Sequence, residues 1–124
     1  MSLLLDTHVV LWWLTDDPTL SADLKDLIDT QPEVYLSAVT VWEVAIKQAL
    51  GKLSGPPDLA ARVAQAGLRE LLIRHDHAVE AGQLPPIHRD PFDRMLVAQT
   101  RIEGLTLVTR DGHIQKYDVP VLSA

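Results

Sequence analysis

The chain has 124 residues, of which 47% are hydrophobic and 23% charged, a composition that predicts one domain over residues 1–124 with a sizeable core. It contains no cysteine, which excludes disulfides and thiolate metal ligands and is compatible with a reducing cytosol. No apolar run has the length of a membrane span, and the first residues lack the basic region of a signal peptide. We therefore expect a cytoplasmic protein without membrane contacts.

Seventeen acidic residues against eleven Lys and Arg give a net charge of −6. This balance argues against a purely electrostatic nucleic-acid binder. It is compatible with an acidic pocket that holds metal cations, because bound ions invert the local field.

Short apolar runs alternate with longer helical patterns along the chain. The predicted strands are Leu3–Leu5, Val34–Leu36, Leu71–Ile73, Leu105–Thr109 and Val119–Leu122. The predicted helices are one capped by Thr7, one capped by Ser21, and then Ser37–Leu50, Asp58–Ala66, Asp76–Gln83 and Asp90–Glu103. Strands that are apolar throughout indicate a parallel sheet of four to five strands with helices on both faces, and Pro120 places the last strand at an edge.

Four carboxylates fall where a ligand binds in such a sheet, in the crevice beyond the carboxyl ends of the strands. Asp6 follows the first strand, and Asp111 follows the fourth. Asp93 lies in the first turn of the helix before the fourth strand, and Glu43 lies two turns into the helix after the second. Each also has an ordinary interpretation: a helix cap or helix start, a turn, or an ion pair of Glu43 with Lys47.

Two features favour a site over these ordinary interpretations. Glu43 shares a helix stripe with Val39 and Ile46, where a carboxylate is costly unless it is paired or metal-bound. Asp6 lies between Leu5 and a further apolar run. Two carboxylates about 4 Å apart repel by roughly 4 kcal/mol at an effective dielectric constant of 20, so four together need a cation. Hard oxygen ligands favour Mg²⁺ or Mn²⁺.

Four segments in a fixed order carry a family resemblance. They are a strand ending in Asp6-Thr7, a helix with Ser37 and Trp42-Glu43, the run DPFDRMLVAQ at 90–99 and the run LVTRD at 107–111. Together they resemble the PIN-domain family, and within it the VapC-like toxins of bacterial toxin–antitoxin pairs. The resemblance covers nearly the whole chain. It implies a PIN-like three-layer α/β/α fold, a Mg²⁺- or Mn²⁺-dependent endoribonuclease acting on RNA, a homodimer and a cognate antitoxin that masks the site.

Carried over by position, the resemblance makes Asp6, Glu43, Asp93 and Asp111 the catalytic and metal-binding acids. Thr109 matches the family's threonine before the fourth acid and would orient a carboxylate or a water. Asp90 matches an additional acid of the DPFDR subgroup, which we interpret as a helix cap.

The predicted reaction is hydrolysis of an RNA phosphodiester bond by a water that a carboxylate-held ion activates. We expect Asp6 and Asp93 to hold the principal ion. Glu43 and Asp111 would complete its shell, hold a second ion or orient the water. Because attack by water does not use the 2′-OH, the product should carry a 5′-phosphate.

Neighbouring residues are candidates for supporting roles. Thr7 adjoins the first acid, and Arg94 and Arg110 each flank a predicted ligand, so either arginine would contact a phosphate or pair with a neighbouring acid. His8 and His113 lie close to the predicted site, but neither is assigned as a base. We interpret Lys47 and Lys52 as part of an RNA-binding track. We interpret Trp12 and Trp42 as residues of the core or of a dimer interface.

Other classes of protein fit less well. A receiver domain would need a phosphoacceptor aspartate after the third strand, where the sequence has Arg74-His75, and a lysine after the last strand. A phosphatase of the haloacid-dehalogenase type would need a second aspartate two residues after the first, where the sequence has His8. A PIN module that only binds RNA or a partner is left open, as are cleavage of single-stranded DNA and the choice between one ion and two.

Overall fold

A computed structural model describes residues 1–124. The strands are β1 (Leu3–Leu5), β2 (Val34–Ser37), β3 (Arg69–Leu71), β4 (Thr106–Thr109) and β5 (Val121–Ser123). The helices are α1 (Thr7–Leu14), α2 (Ala22–Thr30), α3 (Ala38–Ala49), α4 (Leu59–Gln65), α5 (His75–Gln83) and α6 (Pro91–Glu103). A turn of 3₁₀ helix at Ile114–Lys116 precedes β5.

The five strands form one parallel sheet in the order β3-β2-β1-β4-β5. The chain builds outward from β1 to β2 and β3, and then crosses to β4 and β5 on the other side of β1. The strand order therefore reverses between β1 and β4, and such a switch point opens a crevice at the carboxyl ends of the two strands. The predicted parallel α/β sheet is confirmed, with β5 at an edge.

Helices cover both faces of the sheet. Leu3 and Leu5 belong to a core cluster with α1, α2 and α4, whereas Leu4 belongs to a second cluster with α6 and Ile114. Alternate residues of a strand point to opposite faces, and all three leucines are fully buried. A strand that is buried on both faces explains the uninterrupted apolar run.

The cap of α1 differs from the prediction. Asp6, not Thr7, is the N-cap, and its Oδ1 accepts a hydrogen bond from the backbone N–H of Val9 at 3.0 Å. Thr7 is the first helical residue, and its hydroxyl is free to bond elsewhere. Asp6 is therefore both the N-cap of α1 and the residue that directly follows β1.

The third strand begins and ends two residues earlier than the predicted Leu71–Ile73. β3 spans Arg69–Leu71, while Leu72 and Ile73 are 62% and 41% exposed on the surface beyond it. The apolar run does not coincide with the strand, because β3 is a largely exposed edge strand and its residues need not be apolar. The residues after its true end are still not aspartates, so the argument against a receiver domain holds.

α6 matches its prediction at both ends. Asp90 is the N-cap and Pro91 the first helical residue, where a missing N–H costs nothing. Gly104 closes the helix with φ of 66°, a left-handed conformation that glycine adopts without strain. None of the helices in the structure combines the length and apolar character needed to cross a lipid bilayer.

Candidate active site

An open cavity of about 450 Å³ lies at the carboxyl ends of β1 and β4. All four predicted acids line it, and the other lining side chains are polar, charged or aromatic. The lining residues are Asp6, Thr7, His8, Trp12, Glu43, Lys47, His88, Asp90, Asp93, Arg110 and Asp111. The fold thus brings together residues that are more than 100 positions apart in the sequence.

Asp6 is held at the floor of this cavity by two neighbours. Its Oδ2 accepts a hydrogen bond from the Thr109 hydroxyl at the end of β4, and its Oδ1 caps α1. The contact follows from the sheet register, because the backbone N–H of Asp6 donates to Val108 O at 3.1 Å. Burial raises the pKa of the Asp6 carboxyl, and the hydrogen bonds from Thr109 and Val9 act in the opposite direction.

Glu43 is 4% exposed and is paired on both carboxylate oxygens. Oε1 accepts from the Thr7 hydroxyl at 2.6 Å, and Oε2 forms an ion pair with Lys47 one turn later in α3. The hydrogen bond to Glu43 raises the pKa of the Lys47 ammonium. The i,i+4 pair considered as an ordinary alternative is therefore present, but it lies in the cavity and not on an open surface.

Asp93 differs from the other acids because no backbone, hydroxyl or ammonium group donates to its carboxylate oxygens, and the one polar group beside them is Nε2 of His88, 3.0 Å from Oδ2. The neighbouring Asp90 uses its Oδ1 as a cap, accepting from the N–H groups of Phe92 and Asp93 at 2.8 and 3.2 Å. Burial, followed by the negative charge of Asp90, raises the pKa of Asp93 to about 7. Asp93 is thus the acid whose charge is least compensated by the protein.

Asp111 is fixed by the turn that follows β4. Its Oδ1 accepts from the N–H groups of His113 and Ile114 at 2.7 and 3.3 Å. Burial raises the pKa of this carboxyl, but these hydrogen bonds outweigh it and leave the pKa below its usual value. Its own N–H donates to the Thr109 hydroxyl at 3.1 Å, so Thr109 connects Asp111 with Asp6.

His88 is a site residue that the sequence analysis missed. Its Nε2 lies 3.0 Å from Asp93 Oδ2 and 3.3 Å from Asp111 Oδ2. One ligand atom from each of the three residues lies within 4.8 Å of the others, the tightest potential metal-binding group in the chain. The available signal was a histidine two residues before the acid-rich start of α6, in a loop whose path the sequence does not specify.

The two flanking arginines do not pair with neighbouring acids, contrary to the alternative considered for them. Arg94 does not line the cavity, and its guanidinium donates to backbone carbonyls between α5 and α6. It fixes that loop, a different task from the predicted phosphate contact. Arg110 does line the cavity. It stacks over Trp12 at 4.6 Å and donates to Thr19 O and Ala124 O.

The two tryptophans considered for the core or an interface have different environments. Trp12 is half-buried at the cavity wall, between Arg110 and the His8 ring 5.8 Å away. Trp42 is 57% exposed and packs edge-on against Phe92 at 5.3 Å, so of its two predicted places the core is excluded and the dimer interface stays a prediction. Lys52 is exposed and is not among the residues that line the cavity.

Comparison with known families decides what kind of domain carries this site. The model of the PIN domain family matches residues 3–120. The chain belongs to the PIN domain family. This match extends over β1 to β4 and over every residue that lines the acidic cavity.

Individual relatives agree with this assignment. The PIN domain is 29% identical to "Ribonuclease VapC22" of Mycobacterium tuberculosis (strain ATCC 25618 / H37Rv), over 96% of this chain and 94% of that protein. It superimposes with a TM-score of 0.74 on a chain of VapBC2 from Rickettsia felis bound to a promoter DNA fragment, at 13% identity and covering 100% and 99% of the two chains. A chain of a toxin-antitoxin complex from Klebsiella pneumoniae gives a TM-score of 0.67 at 20% identity, covering 98% and 97%. The PIN fold predicted from the sequence is confirmed.

The donor set of the PIN domain fits a hard divalent cation. Five carboxylates line the cavity, against the full positive charges of only Lys47 and Arg110. The Asp93 carboxyl, whose pKa is raised and which has only His88 beside its oxygens, gains most from a nearby cation. Carboxylate oxygens are the ligands that Mg²⁺ and Mn²⁺ prefer.

Proposed function

We propose that this PIN domain, extending over residues 1–124, is a metal-dependent endoribonuclease and the toxin of a toxin–antitoxin pair. The observation that carries the proposal is the convergence of Asp6, Glu43, Asp93 and Asp111 on one cavity at the switch point of the sheet. The names of the relatives support it, since one is a ribonuclease and another belongs to a toxin-antitoxin complex.

Mg²⁺ or Mn²⁺ would be held by Asp93 together with Asp6 and Asp111, with Glu43 completing the shell or orienting the attacking water. When bound, such an ion lowers the pKa of a bound water and neutralises charge on phosphate oxygens. Asp93 suits this position because its Oδ1 has no partner in the protein and its Oδ2 lies beside His88 alone, while the carboxylates of Asp6 and Asp111 are already fixed by hydrogen bonds.

The other residues of the cavity orient these acids and receive the substrate. Thr7 and Lys47 hydrogen-bond to the Glu43 carboxylate and fix its direction, and the Thr109 hydroxyl does the same for Asp6. Lys47 and Arg110 supply positive charge at the cavity wall, where a phosphodiester would lie against them. Because the nucleophile is a water, RNA cleavage leaves a 5′-phosphate and a 3′-hydroxyl.

The test is incubation of total RNA with the purified protein, with Mn²⁺ or with chelator, followed by sequencing of new 5′ ends. We expect discrete 5′-phosphate ends that appear with Mn²⁺ and disappear in Asp93→Asn. Asp26→Asn is the matched control, because Asp26 is exposed on α2 and does not line the cavity. A single-stranded DNA pool run in parallel determines whether ribose is required.

Three outcomes would count against the proposal. A 2′,3′-cyclic phosphate would show that the 2′-OH attacks and would overturn the water mechanism. Equal cleavage by wild type and Asp93→Asn would indicate a contaminating nuclease. Mn²⁺ binding without any cleavage would favour a PIN module that only binds RNA or a partner.

The proposed partners are a cognate antitoxin and a second copy of the chain. The exposed Trp42, beside Phe92, is an aromatic of the kind that is enriched in protein interfaces. Light scattering should give a mass of two chains for the isolated protein. Co-expression with its cognate antitoxin should give a complex whose ribonuclease activity is masked.

A further inference from the structure

We infer that His88 is a positioning residue of the metal site: it holds Asp111 beside Asp93 through its Nε2–H and does not itself bind the ion. The inference rests on the proposed metal-dependent function. It concerns a residue in the loop between α5 and α6, outside the four acids.

The hydrogen bonds of the ring assign its tautomer. His88 Nδ1 accepts a hydrogen bond from the backbone N–H of Asp90 at 3.3 Å. A nitrogen that accepts carries no proton, so in the neutral ring the proton is on Nε2. Nε2 is the atom that faces the site, 3.3 Å from Asp111 Oδ2 and 3.0 Å from Asp93 Oδ2.

This tautomer excludes two other roles for His88. A histidine that binds a metal normally donates its second ring N–H to a carbonyl, a carboxylate or a water. The second nitrogen of His88 instead faces a donor, so Nε2 keeps its proton and offers no lone pair to an ion. For the same reason Nε2 cannot accept a proton from a water in the cavity.

The backbone of His88 is fixed on both sides, which makes the position of the ring part of the fold. Its N–H donates to the Tyr117 hydroxyl at 2.9 Å, and its carbonyl accepts from Arg94 Nη1 at 3.2 Å. Tyr117 is buried and donates in turn to Pro85 O at 3.0 Å. Arg94 also donates to Ala81 O and Leu84 O. The loop therefore presents one ring at a defined place.

The two acids that meet at His88 come from separate elements and need such a link. Asp93 is on α6, and Asp111 is on the turn after β4. No direct hydrogen bond joins the two carboxylates, and like charges at this distance repel. The Nε2–H of His88 lies between the two carboxylates, and its positive hydrogen offsets their repulsion. It thereby keeps one oxygen of each acid within 4.8 Å of the other.

The experiment measures Mn²⁺ binding by calorimetry for wild type, His88→Ala, His88→Gln and His75→Ala. Loss of a residue that orients metal ligands typically weakens binding about tenfold or more, and we expect this for His88→Ala. His88→Gln should keep most of the affinity, because its amide N–H reaches the position of Nε2. His75→Ala is the matched control, since His75 is exposed at the start of α5 and does not line the cavity.

Pulsed electron paramagnetic resonance of the Mn²⁺-loaded wild type tests directly whether His88 coordinates the ion. We expect no nitrogen coupling of the strength that a coordinated imidazole gives. Such a coupling would overturn the inference, as would a His88→Ala affinity equal to that of wild type or a His88→Gln affinity as weak as that of His88→Ala. Thermal unfolding of each variant excludes misfolding as the cause of a loss.

The same data separate this inference from the proposed function. Wild type that binds and cleaves with Mn²⁺, with His88→Ala unchanged, overturns only the role of His88. Wild type that does not bind Mn²⁺ overturns both.

Discussion

Three of the four site acids are fixed by the protein, and the fourth is not. Asp6, Glu43 and Asp111 each accept at least two hydrogen bonds, whereas Asp93 has only Nε2 of His88 beside its oxygens. A buried carboxylate without donors resists ionisation. The scarcity of donors leaves the Asp93 carboxylate available to bind an ion. It also means that the ionised carboxylate lowers the free energy of unfolding when no ion is bound.

Replacing Asp93 should expose this cost. In the folded protein its pKa is about 7, against 3.8 for an ordinary aspartate, so at pH 8 the folded state carries a charge that it disfavours. Allowing for the partial exposure of the side chain, we expect Asp93→Asn to gain about 1 kcal/mol, or roughly 5 °C in melting temperature, in EDTA at pH 8. Mn²⁺ should raise the melting temperature of the wild type but not that of Asp93→Asn. Scanning fluorimetry measures both, and a lower melting temperature in EDTA would contradict the argument.

At the scale of elements, the site depends on how α6 begins. Asp90 caps the first turn, and that turn carries Asp93. Asp90 also contributes a negative charge that raises the pKa of Asp93. One residue thus has two separable effects, a structural one through its cap and an electrostatic one through its charge.

Two substitutions separate these effects. Asp90→Ala removes the cap and should cost about 1 kcal/mol in the free energy of unfolding. Asp90→Asn retains an oxygen acceptor for the N–H groups of Phe92 and Asp93 and should cost much less. Both variants remove the charge, so both should lower the pKa of Asp93. Urea unfolding and the pH titration of Asp93 by NMR measure the two quantities, and equal stability of the two variants would show that the cap is unimportant.

At the scale of the whole molecule, the acidic cavity gives stability an unusual dependence on pH. The pKa values of Asp6 and Asp93 are raised in the folded state. A carboxyl of this kind destabilises above its folded pKa, and the penalty disappears as pH falls toward its unfolded value. The pKa values of Asp17, Asp76 and Asp111 are lowered, so their stabilising contribution is lost only below about 3.8.

We therefore expect the protein in EDTA to become more stable as pH falls from about 8 to about 5, and less stable below about 4. With Mn²⁺ the trend between pH 8 and 5 should reverse, because protons compete with the ion for Asp93 and binding weakens. Melting temperatures across this range, with and without Mn²⁺, give the answer. Parallel curves in the two conditions would mean that the ion does not bind at Asp93.

Much of the fold could be predicted from the sequence because its signals are local. The fully apolar β1 run predicts a strand covered on both sides, and Asp90-Pro91 with Gly104 predicts both ends of α6. The sequence does not predict the bounds of β3, because an exposed edge strand gives no burial pattern and the apolar Leu72 and Ile73 lie beyond it. It predicts Thr7 as a cap, whereas the role of Thr7 depends on Glu43, 36 residues away.

The sequence alone indicates that acids follow the ends of apolar strands, and in a parallel sheet such ends share one edge. This pattern is enough to predict that Asp6, Glu43, Asp93 and Asp111 lie together. The folded structure adds which donor serves which oxygen, that Lys47 pairs with Glu43 inside the cavity, and that His88 joins the group. These contacts depend on the register of β1 and β4 and on the path of a loop, both set by packing across the whole chain rather than by neighbouring residues.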